Sequence, residues 1–228
     1  MIDIKNKTAF VTGSSRGIGQ QIVVGLANLG CNIIVHGRKK ENCNKTLEFL
    51  KPYNVKVNVV HGELSEEKSI NDVIKQVKNL NVKVDILYNN AAIMTSYKED
   101  FWSHSWEEWM ESMKTNVLSV YALSSAFIPG MVENGFGRVI NLVSGIKDQP
   151  ELLPYSVSKW AASKITIDLA VKFEGTGVRI NSLDPQWIST NLGGEFADHS
   201  VEEVLPGALK PVLIDDDGPN GETFSAID

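Results

Sequence analysis

The chain has 228 residues, enough to bury the core of one α/β domain. Apolar residues at 43% and charged residues at 22% describe a globular chain and exclude a disordered one. A net charge of −6, with no polybasic run, excludes the basic footprint expected of a nucleic-acid or anionic-membrane binder.

Two cysteines, Cys31 and Cys43, make neither a disulfide framework nor a zinc spacing, and read as reduced thiols. Nothing at the start resembles a signal peptide and no apolar run approaches transmembrane length, so a cytoplasmic location is expected. The sequons at Asn6 and Asn44 are then coincidental.

Thr8-Ala9-Phe10-Val11 reads as a short buried strand, followed by a glycine-rich turn and a helix over residues 17–29. A second strand covers residues 32–35, a second helix 41–50 and a third strand 55–60. The apolar spacing of Ile70, Val73, Ile74 and Val77 predicts a helix over 66–80. A fourth strand over 84–88 precedes a long helical region, about 105–134, interrupted near Pro129. A fifth strand (138–143), a helix (155–173) and a sixth strand (178–183) complete the alternation.

The rhythm then breaks. Residues 191–200 read as a loop, and a short helix is expected near 201–208. Asp215-Asp216-Asp217-Gly218 reads as a solvated turn without the alternate spacing of a calcium loop, so no metal site is expected. Residues 222–225 form a last edge strand. Strictly alternating strands and helices, with continuous apolar strands, predict a doubly wound parallel sheet covered on both faces. One domain spans residues 1–228, with a short substrate loop at about 191–210.

The first turn, Thr12-Gly13-Ser14-Ser15-Arg16-Gly17-Ile18-Gly19, joins a strand to a helix start. Glycines there permit a tight turn and close approach to a pyrophosphate, which the helix N-terminus favours. No Gly-Lys-Ser/Thr follows, so a Walker-type loop is excluded. In a Rossmann unit an acid about 20 residues onward holds the ribose hydroxyls. Here Gly37 stands near that point, followed by Arg38, Lys39 and Lys40. Missing acid and present cations, with Arg16 as a second candidate, favour the 2′-phosphate of NADP(H) over NAD(H).

Tyr155 and Lys159 lie at i and i+4, on one helix face. A neighbouring ammonium favours phenolate, so Lys159 is expected to lower the Tyr155 pKa towards working pH.

Together these features resemble the short-chain dehydrogenase/reductase family over nearly the whole chain. Thr12-Gly13 through Gly19 is similar to its cofactor motif, and Asn89-Asn90-Ala91-Ala92 to its Asn-Asn-Ala-Gly motif. Asn116, Ser144, Tyr155 and Lys159 match its catalytic tetrad, and Pro185 through Thr190 its segment beside the nicotinamide. The resemblance implies hydride transfer between nicotinamide and a carbonyl carbon. Tyr155 would donate the proton, Ser144 hold the oxygen, Lys159 bond the ribose and Asn116 place a relay water. It further implies cofactor contacts from Gly13, Ser15, Arg16, Gly17, Ile18, Gly19, Arg38, Glu63, Leu64, Asn90, Ala91, Pro185, Ile188 and Thr190, besides Tyr155 and Lys159.

Three positions depart from the family pattern. Ala92 and Gln186 each replace a glycine, and Glu63 replaces an aspartate expected at adenine. Met94, Ile146, Leu152, Leu153 and Trp187 border the motifs and are candidates for an apolar pocket for a small carbonyl or alcohol substrate. Trp102, Trp106, Trp109 and Met113 form a core or interface stripe. Residues 216–225 resemble tails of the carbonyl-reductase branch. An acyl-carrier-protein ketoreductase and a catalytically silent NADP-binding sensor are the rival readings. Family resemblance also implies a homodimer or homotetramer, with Trp160 a candidate contact.

Overall fold

A computed structural model describes residues 1–227. Seven strands form one sheet in the order β3-β2-β1-β4-β5-β6-β7. They are β1 (Thr8–Val11), β2 (Asn32–Gly37), β3 (Val57–His61), β4 (Ile86–Asn89), β5 (Gly137–Leu142), β6 (Val178–Asp184) and β7 (Thr223–Ser225). All six pairings are parallel, and the order reverses between β1 and β4. In open α/β sheets ligands bind at such a reversal, outside the carboxyl ends of the strands.

Successive strand residues point to opposite faces, so each strand feeds two cores. Ala9, Val11, Ile33, Val35, Ile86 and Tyr88 pack with Ile22, Val23 and Leu26 of helix α1 (Gly17–Asn28) and Leu50 of α2 (Asn44–Leu50). Phe10, Ile34, Leu87 and Val139 face the other way. They meet Ile70, Val73 and Val77 of α3 (Glu67–Asn79), and Leu123, Phe127 and Ile128 of α5 (Ser119–Glu133). Helix α4 (Trp106–Met113) precedes α5, and α6 (Leu153–Lys172) leads into β6.

Several sequence expectations need correction. A tighter 3-10 turn, Lys40–Cys43, opens the second helical region, and β3 starts at Val57. The long helix is not interrupted at Pro129, which lies inside α5. Its irregularity is a π-helical stretch, Lys114–Leu118, that includes Asn116. Such single-turn bulges gather at functional sites because they re-aim backbone and side chains. The span Trp106–Glu133 is also long and apolar enough to cross a membrane by composition, yet 56% of its apolar window is buried within this fold. The predicted helix near 201–208 is two 3-10 turns, Val201–Val204 and Gly207–Val212.

The acidic turn at 215–217 is more than solvated. The fully buried Arg138 guanidinium donates to Asp216 Oδ1 at 2.6 Å and to the Ile214 carbonyl at 3.0 Å. Arg179 donates to the Asp216 carbonyl and to Glu174. Both arginines sit at the amino ends of their strands, so this network ties the C-terminal segment to the edge opposite the carboxyl-end cleft.

Tyr88 ties the same segment to the sheet centre: its buried hydroxyl donates to the Ala208 carbonyl at 2.7 Å. Tyr88→Phe keeps the ring and removes only that bond, so urea unfolding should show a loss of about 1–2 kcal/mol. An unchanged midpoint would mean that the C-terminal turn does not depend on this contact.

Candidate active site

The glycine turn is shaped by what surrounds it. Gly13 has φ +63° and Gly17 φ +58°, left-handed backbone that a side chain disfavours. A Cβ on Gly19 would stand 2.5 Å from Asn90 Nδ2 and 2.7 Å from the Gly13 carbonyl, too close for any other residue. Asn90 Nδ2 donates to the Thr12 carbonyl at 2.8 Å, while Thr12 Oγ1 accepts from the Asn90 and Ala91 amides at 3.0 Å each. Thus the Asn90 side chain is a clamp between β1 and β4, and its own amide is already engaged. Arg16, at the N-cap of α1, makes no side-chain cap bond, so among the described residues no side chain caps the amides of the first turn, Gly17, Ile18 and Gly19. Ser15 is half-buried in the turn, and Arg16 at its end is exposed.

Beyond β2, Gly37 has no room for a side chain: a Cβ would meet Cys43 Sγ at 2.9 Å and Ser15 Cβ at 3.2 Å. Arg38 is exposed beside it. Glu63 accepts from the Leu64 amide at 3.0 Å, turning its carboxylate onto its own loop. Leu64 and Ile188, both expected at the cofactor, bury their side chains in the two cores, so only their backbone remains available.

At the carboxyl end of β5 three groups converge. Tyr155, buried in the first turn of α6, has the Ser144 side chain near its hydroxyl, and Ser144 Oγ accepts from the Ile146 amide at 3.2 Å. Lys159 Nζ lies 5.8 Å from the Tyr155 ring centre and donates to the Leu142 carbonyl at 2.8 Å. Asn116 is joined to this group indirectly. Its Oδ1 accepts from the Ile93 amide at 2.9 Å; its Nδ2 donates to the Ile93 carbonyl and to Ser158 Oγ. Ser158 in turn donates to the Tyr155 carbonyl at 2.7 Å. The asparagine therefore braces the loop after β4 against the start of α6.

The expected depression of the Tyr155 pKa is overturned. Burial pushes the phenol up to about 12, outweighing the Ser144 hydrogen bond, and the Asp184 charge raises it further. Burial also pulls Lys159 down to about 8, opposed by Asp184. The i, i+4 spacing puts the two side chains on one helix face, but burial, not their pairing, dominates both shifts.

Gln186, in the family's glycine position, holds φ +65°. Its amide donates to Asp184 Oδ1 at 2.9 Å, and its side chain reaches Asp184 and Ser225 Oγ. These bonds hold a backbone conformation that costs a non-glycine residue of order 1 kcal/mol. Pro185 is half-buried just before it. Thr190 approaches Gly17, with Cγ2 3.5 Å from the position of a Cβ there, so the last loop meets the first turn.

Of the apolar candidates, Leu152 is buried, Ile146 and Leu153 are half-buried, and Met94 and Trp187 are exposed. Trp187 Nε1 donates to the Gly193 carbonyl at 2.8 Å, fixing the indole on the loop. His104 Nε2 and the Lys98 amide both bond the Glu151 carbonyl, closing the loop after β4 onto the start of α6. The tryptophan stripe is not core. Trp102 and Trp106 are 82% and 76% exposed, and Trp106, Trp109, Met110 and Met113 line a concavity of about 430 Å³ that includes none of the Tyr155 group.

Two polar residues at the site were not foreseen from sequence, His36 and Asp184. A histidine ending an otherwise apolar strand, and an acid immediately before Pro185, were the available signals.

Comparison with known proteins places this arrangement. The family described as short chain dehydrogenase matches residues 7–200. An uncharacterized oxidoreductase of Bacillus subtilis is 31% identical over 81% of this chain and 69% of its own length. A 3-oxoacyl-[acyl-carrier-protein] reductase of Aquifex aeolicus is 30% identical over 84% of this chain and 77% of its own length. Among solved structures, a putative NAD(P)-dependent gluconate 5-dehydrogenase from Beutenbergia cavernae, with bound NADP, has a TM-score of 0.87. It is 22% identical, and the match covers 99% of this chain and 96% of that one. A 3-oxoacyl (acyl-carrier-protein) reductase from Agrobacterium tumefaciens with NADP bound has the same TM-score at 24% identity, covering 97% and 93%. Sequence match and fold agree: the chain belongs to the short chain dehydrogenase family of oxidoreductases.

Proposed function

We propose that the protein is an NADP(H)-dependent reductase of small ketones or aldehydes, with Tyr155 as the proton donor. The observation that carries this reading is the buried Tyr155 phenol with Ser144 close enough to act on it and Lys159 beside it, at the same sheet edge as the glycine turn.

The cradle suits a dinucleotide: the α1 amides are uncapped, and Gly13 and Gly19 admit no side chain that would fill the space above the turn. When bound, the dinucleotide supplies the hydride. Gly13, Ser15, Gly17, Ile18 and Gly19 would hold its pyrophosphate, Glu63 and Leu64 border its adenine, and Lys159 bond its nicotinamide ribose. Asn90, Ala91, Pro185, Ile188 and Thr190 would frame the remainder, largely through backbone. Preference for NADP(H) is supported by the packed Gly37, which excludes a ribose-binding acid, and by exposed Arg38 and Arg16 nearby.

Ser144 Oγ would hold the carbonyl oxygen while the Tyr155 hydroxyl passes its proton to it as negative charge develops. With its pKa near 12 the phenol stays protonated at working pH. Lys159, near 8, keeps its charge there and favours the phenolate left behind. Asn116, in the π-helical stretch, would act by bracing the Ile93 loop and by placing a relay water. Met94, Ile146, Leu152, Leu153 and Trp187 would form an apolar substrate wall. An acyl-carrier-protein ketoreductase is a second reading, supported by the Aquifex aeolicus relative. Exposed Tyr121, Val157 and Trp160 on α5 and α6 support a homodimer, and the buried free cysteines suit a reducing cytoplasm.

With NADPH and a panel of ketones, aldehydes and quinones, wild-type protein should oxidise the cofactor. Tyr155→Phe should lower that rate by about 10²–10⁴-fold while NADP⁺ still binds. Turnover at the wild-type rate would refute the proton-donor role. Arg38→Asp should shift preference towards NADH; an unchanged NADPH/NADH ratio would remove Arg38 from the phosphate site.

The pH profile has a definite sign. Loss of the Lys159 proton removes the charge that favours phenolate, so kcat/KM for reduction should fall as pH rises through about 8. A profile flat to pH 10 would contradict this.

A further inference from the structure

His36 is nearly fully buried and lies beneath the cradle rather than in the reacting group. Its Nδ1 accepts from the Gly13 amide at 3.0 Å, and its Nε2 meets the Gly62 carbonyl at 3.1 Å. An Nδ1 that accepts an N–H carries no proton, so the ring is neutral with its hydrogen on Nε2, donated to Gly62. Burial is the main reason it stays neutral, pushing its pKa down to about 4; His61 lowers it further against the Gly62 carbonyl. The ring also packs edge-on against Phe10, centroids 6.3 Å apart, and the His36 amide donates to Ser14 Oγ at 3.0 Å.

One imidazole thus joins the turn after β1 to the turn after β3. Gly13 opens the phosphate cradle, while Gly62 precedes Glu63 and Leu64 at the adenine end. Both ring nitrogens are spent on these two backbones, leaving none to face a ligand. We propose that His36 is a positioning residue for the dinucleotide, fixing the separation of the phosphate and adenine turns through a two-sided bond to Gly13 and Gly62. This rests on the dinucleotide reading given above.

The physical reason is specific to Gly13. Its left-handed backbone aims the amide into the sheet, where a lost acceptor leaves a buried donor unsatisfied. The turn can relieve that cost only by rotating the Gly13 peptide, which moves the cradle. Catalysis at Tyr155 does not involve that movement, so affinity and turnover should separate.

The test is NADP⁺ binding by calorimetry, with NADPH kinetics and thermal unfolding alongside. His36→Phe keeps the ring and removes both bonds. Its dissociation constant for NADP⁺ and KM for NADPH should rise about tenfold, with kcat at saturating NADPH within about threefold of wild type. His36→Asn keeps an acceptor near the Nδ1 position, and His36→Gln a donor near the Nε2 position. Each should recover part of the affinity, and neither all of it. These two decide the matter should His36→Phe fail to fold. Wild-type affinity in any of the three variants, or loss of kcat with an unchanged KM, would overturn the proposal. Wild-type protein that binds no NADP⁺ would instead refute the dinucleotide reading itself.

Discussion

Lys159 places an ammonium in the interior with one fixed protein partner, the Leu142 carbonyl at 2.8 Å. Burying a charge is costly unless it is met, and the fall of its pKa to about 8 expresses that cost. The position demands that β5 end at Leu142, that α6 begin just before Tyr155, and that an acid lie within electrostatic reach. Asp184, at the end of the neighbouring strand, meets the last demand and is held by Gln186. Strained backbone at Gln186 and a buried lysine are therefore parts of one arrangement.

The two edges of the sheet are treated differently. At the amino edge Arg138 and Arg179 fasten the C-terminal turn, and Tyr88 anchors the Gly207–Val212 turn at the sheet centre. At the carboxyl edge the loops are cross-braced: Asn90 onto the glycine turn, Asn116 onto Ile93 and Ser158, and Glu151 onto Lys98 and His104. Such braces around the uncapped start of α1 hold the loops in place at the topological reversal, where open α/β sheets bind ligands.

Much of this was legible in the amino-acid order. Short apolar runs marked the first six strands, and the turn residues before Glu222 marked the last, Thr223–Ser225. Glycines before α1 marked the left-handed turn, and the Tyr155–Lys159 spacing put both side chains on one helix face. What could not be read was anything set by tertiary surroundings. The direction of the Tyr155 shift depends on how deeply the phenol is buried, which spacing does not reveal. Pro129 looked like a break, yet a helix tolerates it where the fold supports both flanks, and the irregularity fell at Asn116 instead. His36 appeared as one polar residue ending an apolar strand, since its partners lie 23 and 26 residues away. Leu64 and Ile188 match family positions, but their side chains belong to the cores.

The account stands on the cradle and the Tyr155 group serving one bound dinucleotide. A crystal structure of the protein with NADP⁺ examines that most directly. The pyrophosphate should rest on the amides at the start of α1, with Lys159 bonded to the nicotinamide ribose and the Tyr155 hydroxyl facing the nicotinamide ring. A dinucleotide seated elsewhere, or a nicotinamide turned away from Tyr155, would contradict it.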